Sequence, residues 1–551
     1  MAKPSAWKLS FPNAALLVLL TLAAYLPVFP GKFVWDDDSW TTKIAPLFYH
    51  FRGLFSIWFH PTALQQYYPL AATSFWLDYQ CWGFWPLPYH VENVLLHAAA
   101  ALLFWRLLER LEVPGAWLAS AIFALHPLMV ESAGWITERK NVLSLVLYLS
   151  ALLAYGRFNS FWTEGKNPRP RRWRAYALAF AFFTGAMLTK TTAFSLPAVV
   201  LLIHWWKRGR ISWSDIWPTL PFFAVSIGLS MTTAWLEKNH VGASGPEWNI
   251  SFAGRCLIAG RVLWFYAGKL LWPANLCFIY PRWQLNTRSL FQWLFPLSAA
   301  AVLLALWLAR RRIGRGPLAA SLFYVGTLFP VLGFMNAYFM RFSFVCDHWV
   351  YLSSLGLIAL AAALMVRAAE RLQIKSALHG LCALLLPLLM ILTWRQCGTY
   401  ADLQTLWRDT IATNPAAWMA HYNLGFLLQT TGHVPEAREH YEQALQYNPN
   451  CYEAQNNLAW ILATLPPFAG GDPDRAVILA RRACELTRAG DPDYLDTLAV
   501  AYAADGRFDD ATATTEKAIT LARSAGHTDF VQKMESRLEL YRAGRAYQPS
   551  S

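Results

Sequence analysis

Charge is scarce in this chain: of its 551 residues only 15% are Asp, Glu, Lys or Arg, against about 25% in a typical soluble domain. One compact water-soluble enzyme of this size is thereby excluded, because 56% of the residues are hydrophobic and the mean hydropathy is +0.27. Cysteine is sparse and unpatterned. The eight cysteines (Cys81, Cys256, Cys277, Cys346, Cys382, Cys397, Cys451 and Cys484) contain no CxxC pair, so neither a zinc site nor a disulfide scaffold is signalled. A disordered chain would be poor in aromatics, and this one is 15% aromatic. What is abundant is tryptophan: 28 residues, the count expected of a protein with many membrane–water boundaries, where Trp anchors. Net charge is +13, but the basic residues gather in the joints between apolar runs. That pattern concerns membrane topology before nucleic acid.

Runs of about 17–25 mostly apolar residues are expected to form membrane helices. Eleven stand near 11–29, 91–108, 115–133, 141–156, 175–190, 192–206, 216–236, 291–309, 317–336, 349–366 and 376–394. The first follows Lys3 and Lys8 as a signal peptide would. It lacks a small-residue exit and ends in Leu26-Pro27-Val28-Phe29-Pro30, so a retained helix is expected. Basic residues then orient the bundle. Lys3/Lys8, Arg106/Arg110, Arg157 to Arg174 with Lys166 and Arg169, Lys207/Arg208/Arg210, Arg310 to Arg315, and Arg367/Arg371/Lys375 fall in alternate joints. Cytoplasmic loops carry such excess, which predicts the N-terminus inside and the C-terminus outside. The stretch 254–272 breaks the alternation if counted as a span. At roughly 100° per residue Arg255, Arg261 and Lys269 share one sector of about 120°, which predicts an amphipathic helix lying flat on the outer leaflet. The alternative is a twelfth span with snorkelling cations.

After Arg395 the composition turns polar and helix pairs are expected over 400–545. Tyr422-Asn423-Leu424-Gly425, Gly432, Ala437, Tyr441, Ala444 and Pro449 match the 34-residue tetratricopeptide (TPR) pattern. The Leu424 position recurs at Leu458 and Leu498, and the Ala437 position at Ala476 and Ala511. The insert Pro466–Gly471 stretches the middle repeat. About three repeats suffice for a self-supporting stack, whose groove typically binds peptide or protein. The predicted fold is all-α: a polytopic membrane bundle over 1–395 with one interfacial helix, then a soluble TPR solenoid over 396–551.

Chemistry is expected on the outer side of the bundle. The first outer loop opens Phe33-Val34-Trp35-Asp36-Asp37-Asp38. Three neighbouring carboxylates favour either a metal or a raised pKa on one of them, and a solvated acidic turn is the plainer alternative. Downstream come Tyr67-Tyr68-Pro69-Leu70 and Pro88-Tyr89-His90-Val91-Glu92-Asn93. The second outer loop holds His126-Pro127-Leu128-Met129-Val130-Glu131 and Glu138-Arg139-Lys140-Asn141. The HPxxxE spacing is not that of a zinc protease. Lys190 ends another span on this side, and the last outer joint holds Arg341, Asp347, His348 and Tyr351. Charges at membrane depth are expensive and mark function by default. A carboxylate facing cations suits attack by a hydroxyl on a phosphate-linked donor: the base takes the acceptor proton and the cations stabilise the departing phosphate.

FVWDDD, YYPL, PYHVENVLLH, HPLMVESAGWITERKN, LTKTTAFSLPAVVLL, LLWPANLCFIYP and DHWVYLSSLG occur in that order, followed by the TPR pattern. The set resembles the transmembrane-and-TPR O-mannosyltransferase family of the GT-C superfamily, across essentially the whole chain. The resemblance implies a multispan transferase using a polyprenyl-phosphate-linked sugar, mannose in the best-known members. Its paired first-loop acids match Asp36 and Asp37, and its HP-x-x-x-E matches His126, Pro127 and Glu131. Its boundary lysine matches Lys190, although Thr191 stands where the family commonly has Glu. Its acidic-Arg-Tyr sequence is replaced here by Asp347-His348-Trp349. Three repeats, fewer than in the animal members, point to a compact bacterial relative.

The resulting expectation is a glycosyltransferase moving a sugar from polyprenyl phosphate to a protein hydroxyl. Its membrane is the bacterial inner membrane with site and repeats periplasmic, or the ER with both lumenal. Asp36 or Asp37 is the expected base, with Glu131 assisting. Lys190, Arg255, Arg261, Lys269, Arg341, His348 and Tyr351 are candidates for the donor phosphate. His90, His126, Glu138 and Arg139 are candidates for sugar or acceptor. A divalent cation, Mg or Mn, would be held by Asp37 and Glu131 if one is bound. The TPR stack is expected to dock the protein acceptor. The competing classes are a non-catalytic membrane scaffold, and the same enzyme acting on a lipid or polysaccharide acceptor.

Overall fold

Each of the eleven apolar runs folds as helix. The computed structural model describes residues 11–159 and 171–548, and among these the regular elements are all helical. Lys3, Lys8, Lys166 and Arg169 lie outside the described residues. By length and composition, five helices can cross a membrane: Pro86–Arg110, Ile136–Asn159, Trp213–Val241, Leu290–Ile313 and Lys375–Gly398. The bent pair Ala116–Leu125 and Pro127–Gly134 makes a sixth if counted as one span. Phe11–Ala24 and Gly316–Val331 are shorter apolar helices. Leu290–Ile313 buries none of its residues within the protein, and such all-round apolar surface is at rest only in lipid. The chain is an integral membrane protein. Phe252–Leu271, the stretch that broke the charge alternation, is a helix of 20 residues and is not among the six.

Proline explains the bent pair. A residue before proline is pushed out of the helical region, and His126 is extended, with φ −82° and ψ 126°. The axis turns by 61° there. Carbonyls released by the break are taken up from neighbouring helices: Thr393 Oγ1 donates to the Leu125 carbonyl at 2.7 Å, and His97 Nε2 lies 3.2 Å from that of Ala124. Unsatisfied backbone at membrane depth is thereby avoided. Lys190 also interrupts a helix, though no proline follows it. It is extended (φ −159°, ψ 128°) between Trp173–Thr189 and the short turn Thr191–Ser195, so its side chain leaves the helix surface.

Helices Phe252–Leu271 and Leu290–Ile313 cross where Gly260 meets Pro296. A Cβ on Gly260 would lie 2.3 Å from the Pro296 nitrogen, a contact against rigid backbone. Gly260→Leu should therefore lower the melting temperature in detergent by the equivalent of about 1–3 kcal/mol of overpacking. An unchanged melting curve would mean that this crossing is loose.

The chain divides into two compact units, Met1–Leu406 and Trp407–Ser551. This boundary lies beyond the expected one at 395/396, because the Lys375–Gly398 helix runs on and Ala401 is tied back to the first unit by a 2.8 Å hydrogen bond from Lys32 N to its carbonyl. The second unit contains three antiparallel helix pairs, Trp418–Thr430 with Val434–Tyr447, Tyr452–Thr464 with Pro473–Leu486, and Pro492–Ala504 with Phe508–Ser524, closed by Thr528–Arg542. Gly425 is required at the first crossing: a Cβ there would meet the Tyr441 ring at 2.9 Å. All eight cysteines are free.

Candidate functional site

The acidic loop is built by a turn. Trp35 adopts φ +48°, which swings the chain so that Asp36 begins the short helix Asp37–Trp40. The first two acids then diverge. Asp37 is fully buried. Its Oδ2 accepts from Val34 N at 2.7 Å, and its Oδ1 accepts from Thr137 N at 2.7 Å and from the Thr137 hydroxyl. Burial pushes its carboxyl up to about 7, against the pull of those donors. Trp135 Nε1 donates to the Val34 carbonyl at 3.2 Å, so Asp37 acts as a staple between the first and second outer loops. Asp36 is only partly buried. Its carboxyl is raised by burial and lowered by the charge of Lys140, with Glu138 and Lys43 also within electrostatic reach.

Four consecutive polar residues, Glu138 to Asn141, stand at the start of the helix Arg139–Asn159, and all but Arg139 meet in one cluster. Glu138 is the hub. Its Oε2 receives Lys190 Nζ at 2.8 Å and Asn141 Nδ2 at 2.6 Å, and Lys140 Nζ lies 3.5 Å from Oε1. Lys140 also sits over the Trp40 ring, 4.9 Å from its centre. Asn141 Nδ2 further contacts Ser132 Oγ at 3.1 Å and the His348 carbonyl at 3.0 Å. The acid absent at position 191 is thus supplied to Lys190 by Glu138, from a different loop.

His348 links this hub to Glu131. Its Nδ1 is 3.0 Å from Glu131 Oε1 and its backbone N donates to Oε2 at 2.9 Å, while Nε2 lies 4.0 Å from Glu138 Oε1. A chain of polar contacts therefore runs Glu131–His348–Glu138–Lys190, with Lys140 and Asp36 beside it. Behind it, Asp347 accepts from the Tyr280 hydroxyl at 2.7 Å, and burial raises its carboxyl well above the usual range.

Several expected site residues turn out to hold the fold instead. Arg139 is fully buried: it is ion-paired with Asp78, reaches Glu92 Oε2 at 2.9 Å, and donates to Asn93 Oδ1 at 2.8 Å and the Tyr89 carbonyl at 3.0 Å. Buried among these four partners, it is turned into the fold. His126 caps the proline break: its Nδ1 accepts from Leu128 N at 3.2 Å, which leaves Nε2 to donate to the Leu270 carbonyl at 3.1 Å. His90 is buried with Nδ1 3.0 Å from the Gly134 carbonyl. Tyr351 is buried with its hydroxyl 2.7 Å from His97 Nδ1.

The cations of Phe252–Leu271 are spread along the helix, Arg255 and Lys269 lying about 21 Å apart at 1.5 Å per residue, and each has partners of its own. Arg255 donates to the carbonyls of Gly333 (2.6 Å), Trp248 (3.1 Å) and Ile250 (3.2 Å) and to Asn336 Oδ1 (2.9 Å). Arg261 stacks on Trp283, 4.4 Å from the ring centre. Lys269 Nζ donates to the carbonyls of Ala274 (2.6 Å) and Asn275 (2.9 Å). Arg341 approaches Glu247 at 3.4 Å. A metal at Asp37 and Glu131 would first have to displace the donors of Val34, Thr137 and His348. Among the described residues no three His, Cys, Asp or Glu stand together as an ion site.

Comparison with known proteins adds to the geometry. Residues 418–451 match the tetratricopeptide repeat model. The chain is 23% identical over 459 residues to "Protein O-mannosyl-transferase F38B6.6" of Caenorhabditis elegans, covering 80% of this chain and 63% of that protein. It is 25% identical over 509 residues to human "Protein O-mannosyl-transferase TMTC1", covering 81% and 56%. Drosophila melanogaster Tmtc1, also named a protein O-mannosyl-transferase, is 32% identical over 187 residues, covering 32% of this chain and 20% of that protein. The chain is thus a homologue of proteins bearing that name, and spans 63% and 56% of the length of the first two. Among solved structures, ArnT from Cupriavidus metallidurans bound to undecaprenyl phosphate aligns over 83% of this chain and 82% of its own, at 15% identity and a TM-score of 0.35.

Proposed function

We propose that this chain is a membrane glycosyltransferase that moves a sugar from a polyprenyl-phosphate-linked donor to a hydroxyl of a protein acceptor on the outer face. Mannose is the sugar favoured by the names of its relatives. The observation that carries the reading is the Asp36 carboxyl beside the Lys140–Glu138–Lys190 cluster. Buried ions of both signs at one place cost desolvation, and here they stand beside a carboxyl that could act as a base, which supports a chemical role.

In this mechanism Asp36 takes the proton of the acceptor hydroxyl as its oxygen forms the bond to the sugar's anomeric carbon. The bond from that carbon to the phosphate oxygen breaks, and its electron pair leaves on polyprenyl phosphate. Lys190 offers a cation for that developing charge, and Glu138 aims it. His348 is held in place by Glu131. Asp37 fixes the loop that carries Asp36. The donor's polyprenyl chain stays in lipid, so the phosphate is met at the boundary where Lys190 leaves its helix. The TPR unit presents the acceptor protein. Site and repeats face the periplasm, or the lumen in a eukaryote.

The deciding experiment incubates purified protein with polyprenyl-phosphate mannose and a protein acceptor and follows released polyprenyl phosphate. Release without acceptor glycosylation would point to a lipid or polysaccharide acceptor, and no release to a scaffold. A base must be ionised to act, and the Asp36 carboxyl is raised by burial. Transfer should therefore fail on the acid side at a pH above the ordinary aspartate value of about 4. A rate that stays flat down to that value would exclude Asp36 as the base.

A further inference from the structure

The repeat unit carries a groove that its own chain occupies in part. Helix Thr528–Arg542 ends in a turn at Gly544 (φ +66°), and Arg545 N donates back to the Leu540 carbonyl at 2.9 Å. This glycine-terminated cap reverses the chain. Residues 542–546 and Gln548 are exposed, whereas Tyr547 between them is half-buried. Its ring lies 5.9 Å from that of Trp460, and the Arg537 guanidinium sits 5.2 Å over Tyr547 and 5.6 Å over Trp460.

Arg537 cannot swing away, because Asp496 holds it by two hydrogen bonds, Nε to Oδ1 at 3.1 Å and Nη2 to Oδ2 at 2.6 Å. Both members of that pair are buried. Trp460 and the fixed guanidinium thus form two walls of an aromatic slot, in which ring stacking and cation–π attraction add to apolar burial. The slot opens into a cavity of about 580 Å³ lined by Asn456, Asp493 and Lys533 among others. The Asn456 carboxamide oxygen is buried there without a hydrogen-bond donor among the described residues. An acceptor left unpaired beside an empty cavity suits the N–H of an extended peptide.

We propose that this groove binds an extended peptide segment through an aromatic side chain, and that Tyr547 occupies the aromatic slot as an intramolecular competitor. The inference rests on the repeat unit alone and does not depend on the transfer chemistry. A tethered occupant acts at an effective concentration on the order of millimolar. A peptide that binds the empty groove with a dissociation constant of about 0.1 mM would then bind the self-occupied one roughly tenfold more weakly.

The test uses the full chain in detergent and a fluorescently labelled peptide with the sequence of residues 543–548, AGRAYQ, followed by anisotropy. Tyr547→Ala should bind it about tenfold more tightly than the unsubstituted protein. Tyr547→Phe, which retains the ring, should bind it as weakly as the unsubstituted protein. A peptide with alanine in place of its tyrosine should not bind Tyr547→Ala, and adding Trp460→Ala should abolish binding of AGRAYQ. Circular dichroism melts of each variant verify that the unit is folded. Equal affinity for the unsubstituted protein and Tyr547→Ala, no binding to either, or tyrosine-independent binding would each overturn the proposal.

Discussion

Asp36→Asn should lower sugar transfer by about 100- to 10,000-fold, the usual cost of removing a general base, with the melting temperature unchanged. Asp36 accepts no hydrogen bond from the second outer loop, and asparagine matches its size. Asp37→Asn should behave in the opposite sense. Its two oxygens together accept from Val34 N, Thr137 N and the Thr137 hydroxyl, so an amide NH2 must face one of those donors. Burying such a mismatch costs about 1–3 kcal/mol, and the melting temperature in detergent should fall. Activity should drop with the folded fraction. The pair is measured by released polyprenyl phosphate per folded molecule. Full turnover in Asp36→Asn would remove it from the mechanism. Loss of turnover in a fully stable Asp37→Asn would exchange the two roles.

Arg139→Ala should abolish recovery of folded protein. The change leaves Asp78 and Glu92 without their cation and Asn93 Oδ1 and the Tyr89 carbonyl without a donor. Breaking a buried ion pair by removing one partner costs about 3–5 kcal/mol, comparable with the whole stability of many domains. Arg139→Lys should not rescue, because one ammonium cannot replace a planar fork serving four acceptors. Adding Asp78→Asn to Arg139→Met removes one of the stranded charges and should recover part of the yield. Monodisperse protein on size-exclusion chromatography is the readout. Normal yield of Arg139→Ala, with only acceptor KM raised, would make Arg139 a sugar contact after all.

Much of this protein was determined by residue order alone. Apolar run length specifies the membrane helices, because a helix in lipid satisfies its own backbone and needs only about 20 apolar residues. The repeats are equally local: Leu424 recurs at Leu458 and Leu498, and Ala437 at Ala476 and Ala511, at a spacing set by one helix pair packing on itself. Asp36, Glu131, Lys190 and His348 stood out in the sequence as polar residues at the ends of apolar runs. Their partnerships did not, because each crosses a long sequence gap: Lys190 to Glu138, His348 to Glu131, Thr137 to Asp37. A charge run such as Glu138-Arg139-Lys140-Asn141 says that polar work is done there, yet helical geometry keeps Lys140 and Asn141 on Glu138 and sends Arg139 to Asp78 and Glu92. Only the tertiary structure decided that Arg139 and His126 hold the fold and that Asp37 staples two loops while Asp36 stays open. The physical reason is that a buried ion's role depends on who neutralises it, and in a bundle of crossing helices that partner is chosen by packing, not by position in the chain.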